Sequence, residues 1–296
     1  TRPSLPPPPR LDLMGRRLTR ALRALQSSGT NANFGRLLAG RGVPVVLADR
    51  QIEMAESIAD DLRRAGADAR AVSLDVRDAS AFQQTAEYTQ SEFGSIAYLF
   101  NNAGIGVVGE VLYYSLEDWF DVFDVNLRGV VHGVQAVYPM MCRQGDGHIV
   151  NTASMAGLVP SGEAASYAAT KHAVVGLSKA LRLEADVHGV RVSALCPGVI
   201  QTAILTAGKY GRMNLKEGAE PKVLEIWKRL RPMDVDLFAD KAMRGIDRNR
   251  PIIIEPRHWR LLYYLERVSP LLRLWLWTKV YGRFRAEREP YRTPPS

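Results

Sequence analysis

The chain has 296 residues, 46% of them hydrophobic and 24% charged, which is enough to bury a full core and excludes disordered and fibrous classes. That length fits one large α/β domain better than two small ones. The formal net charge of +8 sits at the ends, with +6 in residues 1–36, +6 in residues 256–296 and −4 between them, so no basic groove for nucleic acid is expected on the body.

In chain order, Thr1 to Arg10 carries five prolines and reads as an unpacked tail. Leu11, Met14, Leu18, Leu22 and Leu25 then recur at helical spacing with Arg16, Arg17, Arg20 and Arg23 mostly between them, a basic amphipathic helix. Because the chain begins with Thr1, a translational start at Met14 or upstream of Thr1 is expected.

From Gly42 onward short β-branched runs alternate with helical patterns. Strands are expected at Val43 to Asp49, Ala71 to Val76, Ile96 to Asn101, His148 to Ser154, Val190 to Cys196 and Ile252 to Glu255. Helices are expected near Glu53 to Ala65, Ala79 to Phe93, Leu116 to Arg143, Ser166 to Val187 and Phe238 to Arg248. This alternation is that of a Rossmann-like, doubly wound parallel sheet covered by helices on both faces, with its ligand crevice at the carboxyl ends of the strands. The segment from Arg257 to Arg285 mixes Trp259, Tyr263, Tyr264, Trp275 and Trp277 with leucines and arginines. It reads either as a packing or dimer-contact helix or as a peripheral membrane contact. The division is therefore 1–26 for the tail and basic segment, 27–255 for the catalytic body and 256–296 for a basic aromatic extension.

No apolar run reaches the roughly 18 residues of a spanning helix, and no secretory hydrophobic region is visible near Thr1. Cys142 and Cys196 stand far apart without metal-ligand spacing, so free thiols, a reducing cytoplasmic location and no metal site are expected.

Tyr167 and Lys171 carry the strongest chemical signal. Four residues apart on a helix they share a face, where an ammonium can stabilise a phenolate and lower the tyrosine pKa from its usual value of about 10. Such a tyrosine exchanges a proton with a substrate oxygen. The same spacing also occurs in plain surface pairs, so the pair needs company. Ser154 supplies it at the end of a strand, where a hydroxyl can meet a reacting carbonyl, although a turn or cap serine is the simpler reading there. Asn126, within Asp124-Val125-Asn126-Leu127-Arg128-Gly129, and Asn101-Asn102-Ala103-Gly104 after a strand complete the set.

With these elements in this order, the chain from Gly42 to Glu255 resembles the short-chain dehydrogenase/reductase family. The resemblance implies an NAD(P)-dependent alcohol or ketone oxidoreductase with Tyr167 as acid/base, Lys171 holding the nicotinamide ribose, Ser154 orienting the substrate oxygen and Asn126 anchoring a water relay. On the cofactor side it implies Asp49 and Arg50 at the adenine ribose, Asp75 and Val76 at the adenine, Asn101, Ala103 and Gly104 in a cofactor-adjacent loop, and Pro197, Gly198, Ile200 and Thr202 covering the nicotinamide. Asp49 would repel an extra phosphate, which favours NAD over NADP, while Arg50 beside it softens the preference. A cap for the following helix is the bland alternative for Asp49, as a turn is for Gly104. The resemblance also implies a homodimer or homotetramer built on the two long helices.

The glycine-rich turn departs from the family. Thr-Gly-x-x-x-Gly-x-Gly falls on Ala24-Leu25-Gln26-Ser27-Ser28-Gly29-Thr30-Asn31, which keeps only Gly29. The strand before it would be Leu18-Thr19-Arg20-Ala21-Leu22-Arg23, a costly sequence for the centre of a sheet. Either the segment stays outside as a helix or a poor strand is forced into place, and weakened cofactor affinity is expected. Ser193 stands where the family often has asparagine. The stretch Ala203 to Arg231, with Leu205, Tyr210, Met213 and Trp227, suits an apolar lid over a lipophilic substrate or ordinary helix packing, and Val107, Val108 and Leu158 to Ser161 are candidates for the same pocket. The competing reading is a catalytically impaired relative serving as a membrane-surface or oligomeric scaffold.

Overall fold

A computed structural model describes residues 24–25, 29–202, 211–213, 225 and 228–288. Its strands are β1 Ala24–Leu25, β2 Val45–Asp49, β3 Ala69–Ser73, β4 Tyr98–Asn101, β5 Gly106–Val108, β6 Gly147–Thr152, β7 Val190–Pro197, β8 Gly211–Met213 and β9 Ile252–Glu255. The helices are α1 Gly29–Ala39, α2 Ile52–Arg64, α3 Ala79–Phe93, α4 Leu116–Phe123, α5 Gly129–Gln144, α6 Ala165–Asp186, α7 Val235–Asp247, α8 Trp259–Val268 and α9 Pro270–Arg288.

Two parallel runs, β3-β2-β1 and β4-β6-β7-β9, lie with β1 beside β4. Strand order therefore reverses between β1 and β4, and side chains at the carboxyl ends of these strands converge on one crevice. Alternation along the strands builds the two halves of the core. Leu99, Ile149, Ala194 and Ile254 join the cluster with α5 and α6, whereas their neighbours Phe100, Val150, Leu195 and Ile253 join the cluster with α1 and α7. Trp259, Tyr263 and Trp277 of the C-terminal extension pack onto the first cluster.

Several expectations change. The first strand is Ala24–Leu25, paired with Val46 and Leu47, so a short apolar pair enters the sheet and Leu25 belongs to a strand, not to the basic helix. The glycine-rich turn expected at 24–31 instead gives its first two residues to β1 and its last three to α1, and residues 26–28, the rest of the basic helix, the proline tail, Leu205, Tyr210 and Trp227 lie outside the described residues. The third strand ends at Ser73, because Asp75 turns the chain toward α3, where Asp78 caps the helix by accepting from the Ser80 and Ala81 amides. The single helix expected from Leu116 to Arg143 is interrupted by a π-helical turn at Asp124–Arg128. The parallel pair β5–β8 was not anticipated. From β8 the Arg212 guanidinium sits 2.9 Å from Asp118 of α4 and also pairs with Asp121.

Gly133 on α5 explains how closely that helix approaches the sheet. A Cβ there would lie 2.2 Å from Asn101 Oδ1 and 2.8 Å from the Phe82 ring. Gly133→Ala is expected to cost about 2–3 kcal/mol through overpacking, seen as a lower urea midpoint with an unchanged m-value.

Candidate active site

Four sequence-predicted residues meet at the carboxyl ends of β4 and β6. Tyr167 and Lys171 lie on the first two turns of α6, and the Lys171 ammonium stands 5.4 Å from the centroid of the Tyr167 ring. Lys171 is 2% exposed and donates to the Thr152 carbonyl at 2.8 Å. Burial pulls its pKa down to about 8, since a dry site penalises the cation.

The expected lowering of the Tyr167 pKa is not what the geometry gives. Burial pushes the phenol above its ordinary value, and a side-chain hydrogen bond with Ser154 works against that rise. The ammonium is committed to the Thr152 carbonyl and faces the ring, so desolvation dominates and Tyr167 is a neutral donor at neutral pH. Ser154 combines both roles weighed for it. Its Oγ accepts from the Ala156 amide at 3.1 Å, capping the short helical turn Met155–Gly157, and its hydroxyl reaches Tyr167.

Asn126, fully buried in the π-helical turn, works as a clasp. Its Oδ1 accepts from the Ile105 amide at 2.8 Å, and its Nδ2 donates to the Ile105 carbonyl at 2.9 Å and to Thr170 Oγ1 at 3.3 Å. Thr170 in turn donates to the Tyr167 carbonyl at 2.8 Å. One amide thus ties the loop after β4 to the helix that carries the tyrosine. A Cβ on Gly104 would stand 3.5 Å from both Asn126 Oδ1 and Lys171 Nζ, so this loop closes directly over the pair.

Thr152, Thr170 and Ile105 escaped the sequence reading, and Asn102 was named only as part of its loop. Thr152 Oγ1 donates to Asn102 Oδ1 at 2.6 Å, fixing the strand end whose carbonyl holds Lys171. Thr170 was findable, because it stands three residues after Tyr167 and therefore on its helix face. The contact through Ile105 is made by backbone and leaves no side-chain signature.

The remaining cofactor candidates separate into two groups. Near the tyrosine, Gly198 donates its amide to the Glu255 carbonyl at 2.9 Å, and Ile200 is buried and bridged to Met233. Pro197 ends β7, and Thr202 closes a tight turn by donating its amide to the Ile200 carbonyl at 2.8 Å. On the other half of the crevice, Asp49 ends β2 half-buried and accepts from the Gln51 amide at 2.8 Å, with Arg50 exposed beside it. Gly29 is the first residue of α1. Val76, Asn101 and Ala103 pack with Val125, Gly129 and Val130 around a seam too tight to admit a water molecule. Two side chains do something other than expected. Both Asp75 oxygens are held by Arg77, which keeps that carboxyl below its usual range. Asn101 turns inward and donates to Asn151 Oδ1 at 2.9 Å, leaving its backbone to face the crevice. Ser193 accepts the structural role read for it, donating to the Arg250 carbonyl at 2.7 Å and meeting His148 Nε2 at 2.9 Å.

The polar groups suited to a dinucleotide are an accepting carboxylate at the end of β2, Asp49, and a buried ammonium beside a phenol, Lys171 and Tyr167. Among the described residues no group of three metal-ligating side chains occurs, and no helix is long and apolar enough to cross a membrane. Cys142 and Cys196 are free, and burial pushes the Cys196 thiol up to about 12, which makes it an unreactive neighbour of Lys171.

The family model for the short chain dehydrogenase matches residues 26–210. The chain belongs to the short-chain dehydrogenase/reductase family. It is accordingly an NAD(P)-dependent oxidoreductase acting on CH–OH groups. It is 37% identical over 187 residues to a cyclohexanol dehydrogenase of Acinetobacter sp. (strain SE19), covering 63% of this chain and 74% of that one. A short-chain dehydrogenase/reductase from Burkholderia phymatum, solved with NAD, superposes with a TM-score of 0.76 at 30% identity, over 86% of this chain and 96% of its own. A short-chain dehydrogenase from Sphingobium yanoikuyae, solved with NADPH, gives a TM-score of 0.70 at 26% identity, over 84% and 94%.

Removing the clasp should loosen the loop after β4. Asn126→Ala is expected to cost about 1–2 kcal/mol by leaving the partly buried Ile105 backbone groups unpaired, and to raise amide exchange at Ile105 well above that in Tyr167→Phe. Equal exchange in the two variants would refute the clasp.

Proposed function

We propose that the chain interconverts lipophilic secondary alcohols and ketones, with NAD preferred over NADP and Tyr167 as the proton donor and acceptor. The observation that carries this reading is the buried Lys171 ammonium facing Tyr167 at 5.4 Å, with Ser154 hydrogen-bonded to the phenol. A bound nicotinamide supplies or receives the hydride. The chain's own residues do the rest.

In reduction, Tyr167 donates its proton to the substrate oxygen, and Ser154 holds that oxygen by hydrogen bonding while negative charge develops on it. The phenolate left behind faces the Lys171 cation, which makes it less costly to form. In oxidation the same proton returns from the carbinol to Tyr167. Asn126 keeps the loop at Ile105 and the Tyr167 helix in register, so the two partners approach in one geometry. The catalyst reading is favoured over the scaffold reading because Ser154 bonds the Tyr167 phenol, Lys171 faces its ring, and Asn126 ties in through Thr170.

Asp49, at the end of β2, supports NAD over NADP, since a carboxylate there accepts from ribose hydroxyls and repels a phosphate. The lipophilic substrate class is supported by the apolar strand Gly106–Val108, whose first residue lies against the Tyr167 ring, and by a relative named for cyclohexanol. Exposed Leu183 on α6, with Val187 just past its end, supports a homodimer or homotetramer through that helix.

Tyr167→Phe should lower kcat/KM for cyclohexanol oxidation and cyclohexanone reduction by about 10²–10⁴-fold with its melting transition retained; full activity would reject the assignment. Reduction should hold level below pH 8 and fall above it. The phenol, raised by burial, stays protonated there, while the ammonium with its pKa of about 8 is lost. A reduction profile flat to about pH 10 would remove Lys171 from the proton path. Asp49→Ser should shift the kcat/KM ratio toward NADP by about tenfold or more, and an unchanged ratio would overturn the cofactor preference.

A further inference from the structure

The C-terminal extension turns an apolar stripe to solvent. On α8, Leu261, Tyr264, Leu265 and Val268 follow the i, i+3, i+4, i+7 spacing of a single helix face, and on α9 Leu271 and Trp275 continue it. These six residues are 47–83% exposed, whereas Trp259, Tyr263 and Trp277 pack onto the core. The amphipathic face is therefore the wrong way out for a helix pair whose only neighbour is its own domain.

Charge identifies the occupant. Between residues 257 and 288 there are eight basic and two acidic residues, on a protein whose middle carries −4. Arg257, Arg267, Lys279 and Arg283 are exposed, and of the two acids Glu287 is paired with Arg229 at 2.9 Å. The Lys279 ammonium lies 6.0 Å from the ring centroid of Trp275, so a cation edges the apolar stripe on α9, and the exposed Arg267 guanidinium lies 5.0 Å from the ring centroid of the core-packed Tyr263. Apolar and aromatic groups edged by cations match an interface of acyl chains under anionic headgroups. A second protein copy would bring a matching cluster of cations against this one.

We infer that α8 and α9 dock the enzyme on an anionic membrane surface. Their other side holds the rim of the active site. A Cβ on Gly162 would stand 2.5 Å from the Tyr281 ring, and the Tyr281 hydroxyl and Arg285 guanidinium both reach Glu110 Oε1, at 3.1 Å and 2.5 Å. Next to Glu110, Gly109 donates to the Glu163 carbonyl at 2.8 Å, and a Cβ on Gly106 would be 3.9 Å from Tyr167. The docking helices and the tyrosine thus share two loops. If the lipophilic substrate class proposed above holds, docking also sets the substrate opening beside the phase in which such substrates dissolve.

Flotation of the full chain with phosphatidylcholine vesicles, with and without about 30% phosphatidylserine, tests the docking without reference to turnover, so it stands or falls apart from the catalytic reading. The expected result is at least about tenfold more protein floating with the anionic vesicles, reversed by about 0.5 M salt. The Leu271→Glu/Trp275→Glu and Arg267→Glu/Lys279→Glu variants should each lose flotation, with melting and far-ultraviolet dichroism unchanged. Trp275 emission should shift to the blue on anionic vesicles. No flotation of the parent chain on either vesicle, or flotation of both variants equal to that of the parent, would overturn the inference. So would a fall in oligomer mass of the Leu271→Glu/Trp275→Glu variant without vesicle binding by the parent chain, which would make the stripe a contact between copies.

Discussion

An ammonium buried in a dry crevice needs a carbonyl to hold it, and that requirement organises the centre of this protein. Lys171 rests on the Thr152 carbonyl at the last residue of β6. The end of that strand must consequently stay open to a side chain from α6, and Thr152 and Asn102 fix it there. The same ammonium faces the phenol four residues earlier on the helix. Cation, carbonyl and phenol are so arranged that a charge appearing on Tyr167 is met without any rearrangement of solvent, which is the condition for electrostatic help at a reacting centre.

Around this group the backbone is held by side-chain amides. Asn126 grips Ile105 from the π-helical turn, and Asn101, Asn151 and Ser178 form a buried chain of hydrogen bonds under the same loop. A π-turn within a helix is costly unless something uses the displaced geometry. Here it brings an amide inward toward two separate backbone segments, and the regular helices on either side, α4 and α5, absorb the mismatch by changing phase.

Much of the fold and the chemistry was legible in the residues, and the boundary of legibility is physical. Alternating buried strands and helices with caps revealed the sheet, since burial on both faces enforces continuous apolar runs such as Val45–Asp49 and Ile252–Glu255. Tyr167, Lys171, Ser154 and Asn126 were findable because helix spacing and strand ends constrain where such side chains meet. The π-turn was not, because an inserted residue barely disturbs an apolar period over so few turns. The direction of the Tyr167 shift was misread for a related reason: spacing tells which groups are neighbours, whereas desolvation depends on everything packed around them. Backbone partners such as Ile105 and the strand pair β5–β8 carry no side-chain pattern, and Asp75 was read toward a ligand when a neighbouring arginine two residues on already held it.

Gly198 gives the C-terminal extension a further hold on the centre. Without a side chain at that position, the Trp259 indole lies directly against the loop after β7, where a Cβ would come within 2.4 Å of its nitrogen. The loop after β7 and the first turn of α8 are therefore packed together through that indole, and any side chain at position 198 would have to push the two apart.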